Sequence, residues 1–378
     1  MSRRKGKATQ RMQDWQQETR AGNKSERTAG RQKIVQRKVK LPANRLEEPD
    51  ASLENLPKIE GMVVGLFPGG ALVRAEGQEV LCGIAKTFRA AEGTAALAVG
   101  DLATVALTRT EHASAQGEDK DRADGMILRR HARRSALVRP RPRSAKRTDK
   151  YATDAVEKVI VANMDLLLIV TSTVQPRMRH AMIDRFLIVA ERGELQPVLV
   201  VNKIDLAAPD PDELEGFIEL GLTIIPCSAV SGQGLEPLLA VLAGKSSVLS
   251  GASGVGKSTL INALIPGAGA ATRPIRMRDQ RGRHTTAATV VYELPGQEGQ
   301  APGIIVDTPG VRELGINLRA AELPWYFPEI EEFAPACKFN DCTHTHEPGC
   351  AVQFAVEEGQ IQARRFESYL RILETLEE

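Results

Sequence analysis

The stretch "VLSGASGVGKSTLINALI" (Val248–Ile265) decides how this chain folds. Its middle satisfies G-x-x-x-x-G-K-[ST] between an apolar run and a segment of helical period, the setting a phosphate-binding loop requires. In an ordinary nucleotide-binding domain that loop follows the first strand. Here "VLVVNKIDLA" (Val198–Ala207), which has the form of a guanine-reading segment, comes about 50 residues before it. The base is read before the phosphate.

Each part of that inverted order has a chemical reason. Glycines let the backbone N–H groups of Gly251, Ala252, Ser253, Gly254, Val255 and Gly256 curl around phosphate oxygens, and the following helix adds the positive end of its dipole. Lys257 should reach the β- and γ-phosphates and Ser258 should ligate Mg²⁺, with Thr259 completing the set. In Asn202-Lys203-Ile204-Asp205 the carboxylate of Asp205 can accept two hydrogen bonds, from guanine N1–H and the exocyclic amine. Adenine offers no such donor pair, so a buried carboxylate left unpaired would disfavour ATP. Cys227-Ser228-Ala229, at the end of the next strand, fits the companion loop that approaches guanine O6 through backbone N–H groups.

The catalytic side is expected downstream. Asp307-Thr-Pro-Gly310 ends the strand "GIIVD", placing Asp307 near Mg²⁺ and Gly310 at the γ-phosphate. The switch threonine is Thr285 or Thr286, in "GRHTTAA", and the sequence does not choose between them. Ras-like enzymes carry a glutamine just after this motif to orient the attacking water, but Val311 stands there and cannot hydrogen-bond. Unassisted turnover should be slow, at or below roughly 10⁻³ s⁻¹ by analogy with Ras alone. His284 is the candidate to position water, and plain packing or a partner contact is the alternative.

The motif set is complete but rotated, which defines a circularly permuted GTPase domain; close termini permit such a rearrangement without loss of the site. From Asn163 onward strand-like and helix-like runs alternate, as a mostly parallel sheet flanked by helices requires. Before it, "KIEGMVVGLF", "ALVRA", "EVLCGIA", "LATVAL" and "GMILRR" form five short strands in ~75 residues, for which an OB-fold barrel is the economical choice and an unrelated barrel the alternative. The segment Arg109 to Gly125 reads as a polar loop between the last two strands. The expected order is a basic disordered tail (1–50), an OB-fold RNA-binding domain with basic linker (51–150), the permuted α/β GTPase domain (151–320), and a small helical zinc-binding domain (321–378). Its last helix should bury Ile361, Phe366, Tyr369, Leu370 and Leu373.

Cys337-x4-Cys342-x-His344-x5-Cys350 gives three thiolates and an imidazole, a closed tetrahedral set for one structural Zn²⁺, with His346 able to replace His344. Clustered cysteines and a polar start favour metal over disulfides and a cytoplasmic protein. No apolar run approaches the ~18–20 residues that span a bilayer. The chain of 378 residues has a net charge of only +2, unevenly spread. Residues 1–40 carry 13 Lys/Arg against 3 Asp/Glu, and Arg129 to Arg147 hold nine Lys/Arg and no acid. Two such segments point to a polyanion, most plainly nucleic acid; a solubilising tail and a solvated linker are the plainer reading.

The order of barrel, permuted GTPase and Cys3His module, with "RRSALVRP", "NKID", "GASGVGKST", "GRHTT", "DTPGVRELG" and "CTHTHEPGC", resembles the bacterial small-subunit-dependent GTPase family RsgA/YjeQ over about residues 58–375. The resemblance implies a protein that binds the 30S ribosomal subunit late in its maturation. It also implies hydrolysis stimulated by the ribosome, ribosomal RNA contacts through barrel and zinc domain, and a hydrophobic residue where Val311 stands. Ala287 departs from a third threonine common in the family. No membrane partner is expected, and the working state is a monomer. The competing readings are a GTPase acting on a protein or membrane target, a non-enzymatic RNA-binding scaffold holding guanine nucleotide, and a nucleic-acid-dependent ATPase that Asp205 should exclude.

Overall fold

The computed structural model describes residues 55–67, 69–84, 97–108, 124–140, 157–265, 289–296, 302–308, 316 and 318–377. The polar loop over 109–123, the tail over 1–50, residues 141–150, and His284, Thr285, Thr286, Ala287, Gly310 and Val311 lie outside them. Described residues fall into two compact units. The larger draws on Lys40–Met178 and Val189–Gly315, the smaller on Arg179–Ile188 and Ile316–Glu378.

The larger unit opens with five strands, β1 (Lys58–Phe67), β2 (Gly70–Ala75), β3 (Gln78–Ile84), β4 (Leu102–Leu107) and β5 (Gly125–Arg130). They close into a barrel of order β1-β2-β3-β5-β4, the five-stranded arrangement expected of an OB-fold. Alternation along the strands turns Val63, Val73, Cys82, Val105 and Ile127 inward as its core. Two strands follow: β6 (Ala136–Pro140), within the stretch the sequence reads as a basic linker, and β7 (Glu157–Ala162), beyond it, pair antiparallel. Val161 also bridges Val99, which ties this ribbon to the barrel.

Within the first half of the Arg-rich stretch, two arginines are engaged inside the protein. Arg133 forms a two-point pair with Asp101 at 2.6 and 2.7 Å, with the side chains 1% and 0% exposed. Arg134 pairs with Asp165 and donates to the Asn163 carbonyl at 2.8 Å. Asn163 itself accepts from the Arg134 backbone and donates to Gly100 O, both at 2.9 Å. These arginines join the barrel to the strands that follow. Of the first four arginines Arg130 and Arg133 are buried, while Arg129 and Arg134 stay exposed.

The GTPase part is a six-stranded sheet built from β8 (Leu166–Ser172), β9 (Gln196–Asn202), β10 (Thr223–Pro226), β11 (Ser246–Gly251), β12 (Val290–Glu293) and β13 (Ile304–Asp307). The order is β10-β9-β8-β11-β13-β12, and only β12 runs antiparallel to its neighbour. β8 is buried at all seven positions, as the continuous run "LLLIVTS" demands of a strand covered on both faces. Helices α1 (His180–Gly193), α2 (Pro211–Glu219), α3 (Leu235–Leu242) and α4 (Lys257–Leu264) connect the strands. α2 begins as its sequence dictates: Asp210 accepts from the Asp212 N–H at 3.0 Å, Pro211 takes the first turn, and Asp212 and Glu213 favour the positive end of the dipole. Leu238, Leu242, Leu260, Ile261 and Leu264 on α3 and α4 pack with Leu168, Val170, Val200 and Leu249 of the sheet.

The smaller unit holds a 3-10 segment (Ala320–Tyr326), α5 (Pro328–Phe333), α6 (Ala351–Glu357) and α7 (Ala363–Glu377), together with the first nine residues of α1. Ile188 of α1 joins Leu323, Phe327, Ile330, Tyr369 and Ile372 in one core. Tyr369 stacks on Phe366 and meets Phe327 edge-on, with ring centres 6.2 and 5.5 Å away. The buried face of α7 is centred on Arg365, Ser368, Tyr369, Ile372 and Leu373, with Phe366 and Leu370 at its margins.

Candidate nucleotide site and metal centre

Parallel pairing brings the carboxyl ends of β8, β9, β10, β11 and β13 to one edge of the sheet. Ser172 is opposite Asn202, Val201 opposite Pro226, Val170 opposite Gly251, and Leu249 opposite Asp307. That edge, where the crossovers reverse between β8 and β11, is where open α/β sheets bind ligands. All the described members of the expected nucleotide set stand there.

One side chain staples three of these loops. The Asn202 amide is 2% exposed; its Nδ2 donates to the Val255 carbonyl of the phosphate loop at 2.9 Å. Its Oδ1 accepts from the Ala229 N–H at 3.1 Å. Ala229 therefore stands beside the Asn202 segment, with its N–H engaged by Asn202. The close fit explains Gly256, whose φ is +94°: a Cβ there would lie 2.4 Å from Asn202 Nδ2. Gly251 is equally constrained, with φ +139° and a would-be Cβ 2.1 Å from the Val170 carbonyl of β8.

Asp205 is exposed at the rim, so a desolvation penalty against adenine arises only under a bound base. Its Oδ1 accepts from the Ser228 hydroxyl at 2.5 Å. Ser228 Oγ in turn accepts from the N–H groups of Val230 and Ser231 at 3.3 and 3.0 Å, which fixes the carboxylate's direction. Lys257 is 6% exposed and its ammonium donates to the Gly251 and Ala252 carbonyls, both at 2.7 Å. Ser253, Gly254, Ser258 and Thr259 face solvent, and Asp307 is half-buried at the end of β13.

A loop that sequence reasoning missed also lines this edge. Between β8 and α1, the Gln175 carbonyl accepts from the Lys203 ammonium, and the Thr173 hydroxyl donates to Lys203 O at 3.4 Å. Pro176 lies against the phosphate loop, its Cδ 3.6 Å from where a Gly254 Cβ would stand. The only signal in the sequence is a proline in a short connection, which is too common to single out.

In the smaller unit, Cys337 Sγ and Cys350 Sγ are 3.8 Å apart, and His344 Nδ1 stands 3.5 and 3.4 Å from them. With Cys342, these ligand atoms lie within 4.8 Å of one another. A tetrahedron with Zn–S bonds of ~2.3 Å has edges of about 3.8 Å, so the donor set and its spacing both fit zinc. The alternative ligand is turned away: His346 is exposed and its Nδ1 meets the Thr345 hydroxyl at 2.8 Å. Cys337 is pulled towards the thiolate, first by the Cys350 thiol and then by His344. The turn is held by the Glu347 carboxylate, which accepts from the Thr343 N–H and hydroxyl at 2.7 and 2.6 Å. Burial works to raise the Glu347 pKa, but these bonds hold it at about 2.

A P-loop strand in the middle of the sheet, preceded in the chain by its guanine-reading half and followed by the Asp307 strand, defines a circularly permuted GTPase and hence a GTP hydrolase. The RsgA GTPase family model matches residues 130–317. The small ribosomal subunit biogenesis GTPase RsgA of Chlorobaculum tepidum is 38% identical over 85% of this chain and 99% of its own length. That of Shewanella oneidensis is 35% identical over 89% of this chain and 88% of its own. The chain belongs to the RsgA GTPase family. The crystal structure of YjeQ from Thermotoga maritima is similar at a TM-score of 0.58 with 31% identity, covering 85% of this chain and 99% of that one. The structure of YloQ, described as a circularly permuted GTPase, is similar at a TM-score of 0.56 with 25% identity, covering 87% and 98%. Among the described residues no helix is long and apolar enough to cross a membrane.

Proposed function

We propose that this protein is a GTPase of small ribosomal subunit assembly, which binds the 30S subunit through ribosomal RNA, hydrolyses GTP slowly alone and faster on the subunit, and leaves after hydrolysis. The observation that carries this reading is kinship with small-subunit biogenesis GTPases along nearly their whole length, together with the nucleotide motifs meeting at one sheet edge.

In this reading Asp205 accepts the two guanine donors while the Ser228–Ala229 loop faces O6. Lys257 leaves the Gly251 and Ala252 carbonyls for the β- and γ-phosphates. Ser258 and Asp307 hold Mg²⁺, which when bound neutralises charge on those phosphates. Gly310 and Thr285 or Thr286 close on the γ-phosphate, and His284 positions the water that Val311 cannot. Zn²⁺ on Cys337, Cys342, His344 and Cys350 would tie the cysteine turn to the small unit's core, where Cys337 and Cys350 are buried, and add folding energy there. The protein acts as a cytoplasmic monomer, and the basic tail adds to its affinity for RNA.

GTP turnover measured alone, then with 30S subunits, 50S subunits and naked RNA, tests the proposal. Stimulation confined to 30S is expected, weakening steeply with salt because phosphate contacts release counterions. Tight GTP binding without stimulation by 30S would overturn the partner and leave the enzyme. Stimulated turnover that survives His284→Ala unchanged would remove that histidine from the chemistry.

A further inference from the structure

Residues 173–178, which follow β8, lie in the larger unit together with the phosphate loop and the guanine-reading segment. No nucleotide motif accounts for them. Their form is set from both ends. Ser172, 0% exposed at the end of β8, donates through its hydroxyl to the Pro176 carbonyl at 2.8 Å and so closes the turn. Met178 is buried beyond it. Between these anchors Gln175 takes a left-handed conformation, with φ +51°.

Lys203, which receives this loop, is left-handed too, with φ +67°. Its ammonium donates to the Gln175 carbonyl, and its own carbonyl accepts from the Thr173 hydroxyl at 3.4 Å. The lysine stem runs beside the phosphate loop: a Cβ on Gly256 would stand 3.9 Å from Lys203 Cε, and one on Gly254 would stand 3.6 Å from Pro176 Cδ. Two residues in a costly backbone conformation are therefore tied to each other, and both neighbour the loop that cradles phosphate. Such strain persists only where the surroundings over-determine it, and ligand clamps are one place where it gathers.

A carboxylate such as Asp205 fixes a base within its plane but does little to stop it leaving across that plane. A wall against the ring face is needed for that. The four-carbon stem of Lys203 can supply one, because a lysine lays its methylenes on apolar surface while its charged end is held elsewhere. Here the charged end is held by Gln175. We propose that the loop after β8 is a latch on guanine nucleotide, in which Ser172 and Gln175 are positioning residues that hold the Lys203 stem as a wall of the base site and so slow release. The proposal rests on the reading of this sheet edge as the guanine-nucleotide site.

The test is the dissociation rate of fluorescent mant-GDP from the full-length protein, with association rate and melting temperature measured alongside. Ser172→Ala removes the bond that closes the turn and touches neither Lys203 nor the phosphate loop. It should speed release roughly fivefold or more and leave the association rate within about twofold. Lys203→Met keeps the stem and loses the ammonium, and should speed release at least as much. In that background Ser172→Ala should add less than about twofold, because the latch is already open. If Ser172→Ala does not fold, Gln175→Val carries the same test: the side chain is exposed, and a β-branched residue resists the φ that aims the carbonyl. Folded variants that release nucleotide at the wild-type rate overturn the latch alone, as does an undiminished increment in the Lys203→Met background. A wild-type protein that fails to retain mant-GDP overturns the site reading and the latch with it.

Discussion

Replacing Asn202 with Ala isolates the staple at the centre of the nucleotide edge. The substitution removes the donor to Val255 O and the acceptor for Ala229 N–H, which stand at 2.9 and 3.1 Å. Each buried partner left unpaired costs about 1–3 kcal/mol, less whatever water recovers. With partial hydration the pair sums to about 2–3 kcal/mol. The cost appears in nucleotide affinity where the free loops relax, and in the melting temperature of the free protein where they do not. Both must therefore be measured. Because Asn202 is the one side chain that hydrogen-bonds Val255 to the base loop among the described hydrogen bonds, relaxation should dominate, and Kd for mant-GDP should rise roughly 30- to 150-fold at ~1.4 kcal/mol per decade. Asn202→Asp keeps an oxygen for Ala229 but turns a carboxylate on the Val255 carbonyl, so it should not rescue binding. An Asn202→Ala protein with both Kd and melting temperature unchanged would refute the reasoning.

Three other outcomes are expected. Burial, opposed by Arg365 and Ser368 and aided by Glu329, pushes Asp184 up to about 6, so the folded chain holds this proton more tightly than the unfolded one. Stability from this group is therefore gained as pH falls from about 6 towards about 4 and absent above that window, by up to about 3 kcal/mol at ~1.36 kcal/mol per pKa unit. The stability difference between wild type and Asp184→Asn, from chemical denaturation across that range, should follow this slope, and a pH-independent difference would exclude it. Cys350→Ser should lower bound zinc from one per chain to near zero by elemental analysis and expose α6 and α7 to hydrogen exchange, since a structural metal supplies folding free energy. Arg133→Met, which strands the Asp101 carboxylate at 0% exposure, should destabilise the larger unit by about 3–5 kcal/mol in urea, and a loss below about 1 kcal/mol would mean the pair does little.

Much of the fold was legible because it depends on local pattern. The five barrel strands, the seven-residue apolar run of β8 and the rotated motif order each follow from residues close together in the chain. What escaped depends on distant partners. Arg133 reads as part of a basic run, and nothing near it reveals that Asp101, 32 residues away, neutralises it. β6 was hidden for the same reason, its short "ALV" core lying between arginines. Asp184 looks like a solvent-facing residue of an amphipathic helix, yet its partner Arg365 is 181 residues away. Asn202 was recognisable as a member of the guanine segment, but its work as a staple between loops requires the Val255 carbonyl to be in place.

The position of β8 between β9 and β11 also bears on how the domain is made. Strands β8, β9 and β10 are neighbours both in the chain and in the sheet, so this half can assemble as it leaves the translating ribosome. The phosphate loop emerges only after 80 further residues separate Ser172 from Ala252. At ~5–20 residues per second that is a delay of roughly 4–16 s. During that interval the edge of β8 that β11 will occupy has no partner, and no nucleotide can be bound to protect it. In an unpermuted GTPase the phosphate loop is synthesised first and waits for its base reader. Here the base reader waits, and the nascent chain carries an open sheet edge instead of an idle phosphate loop.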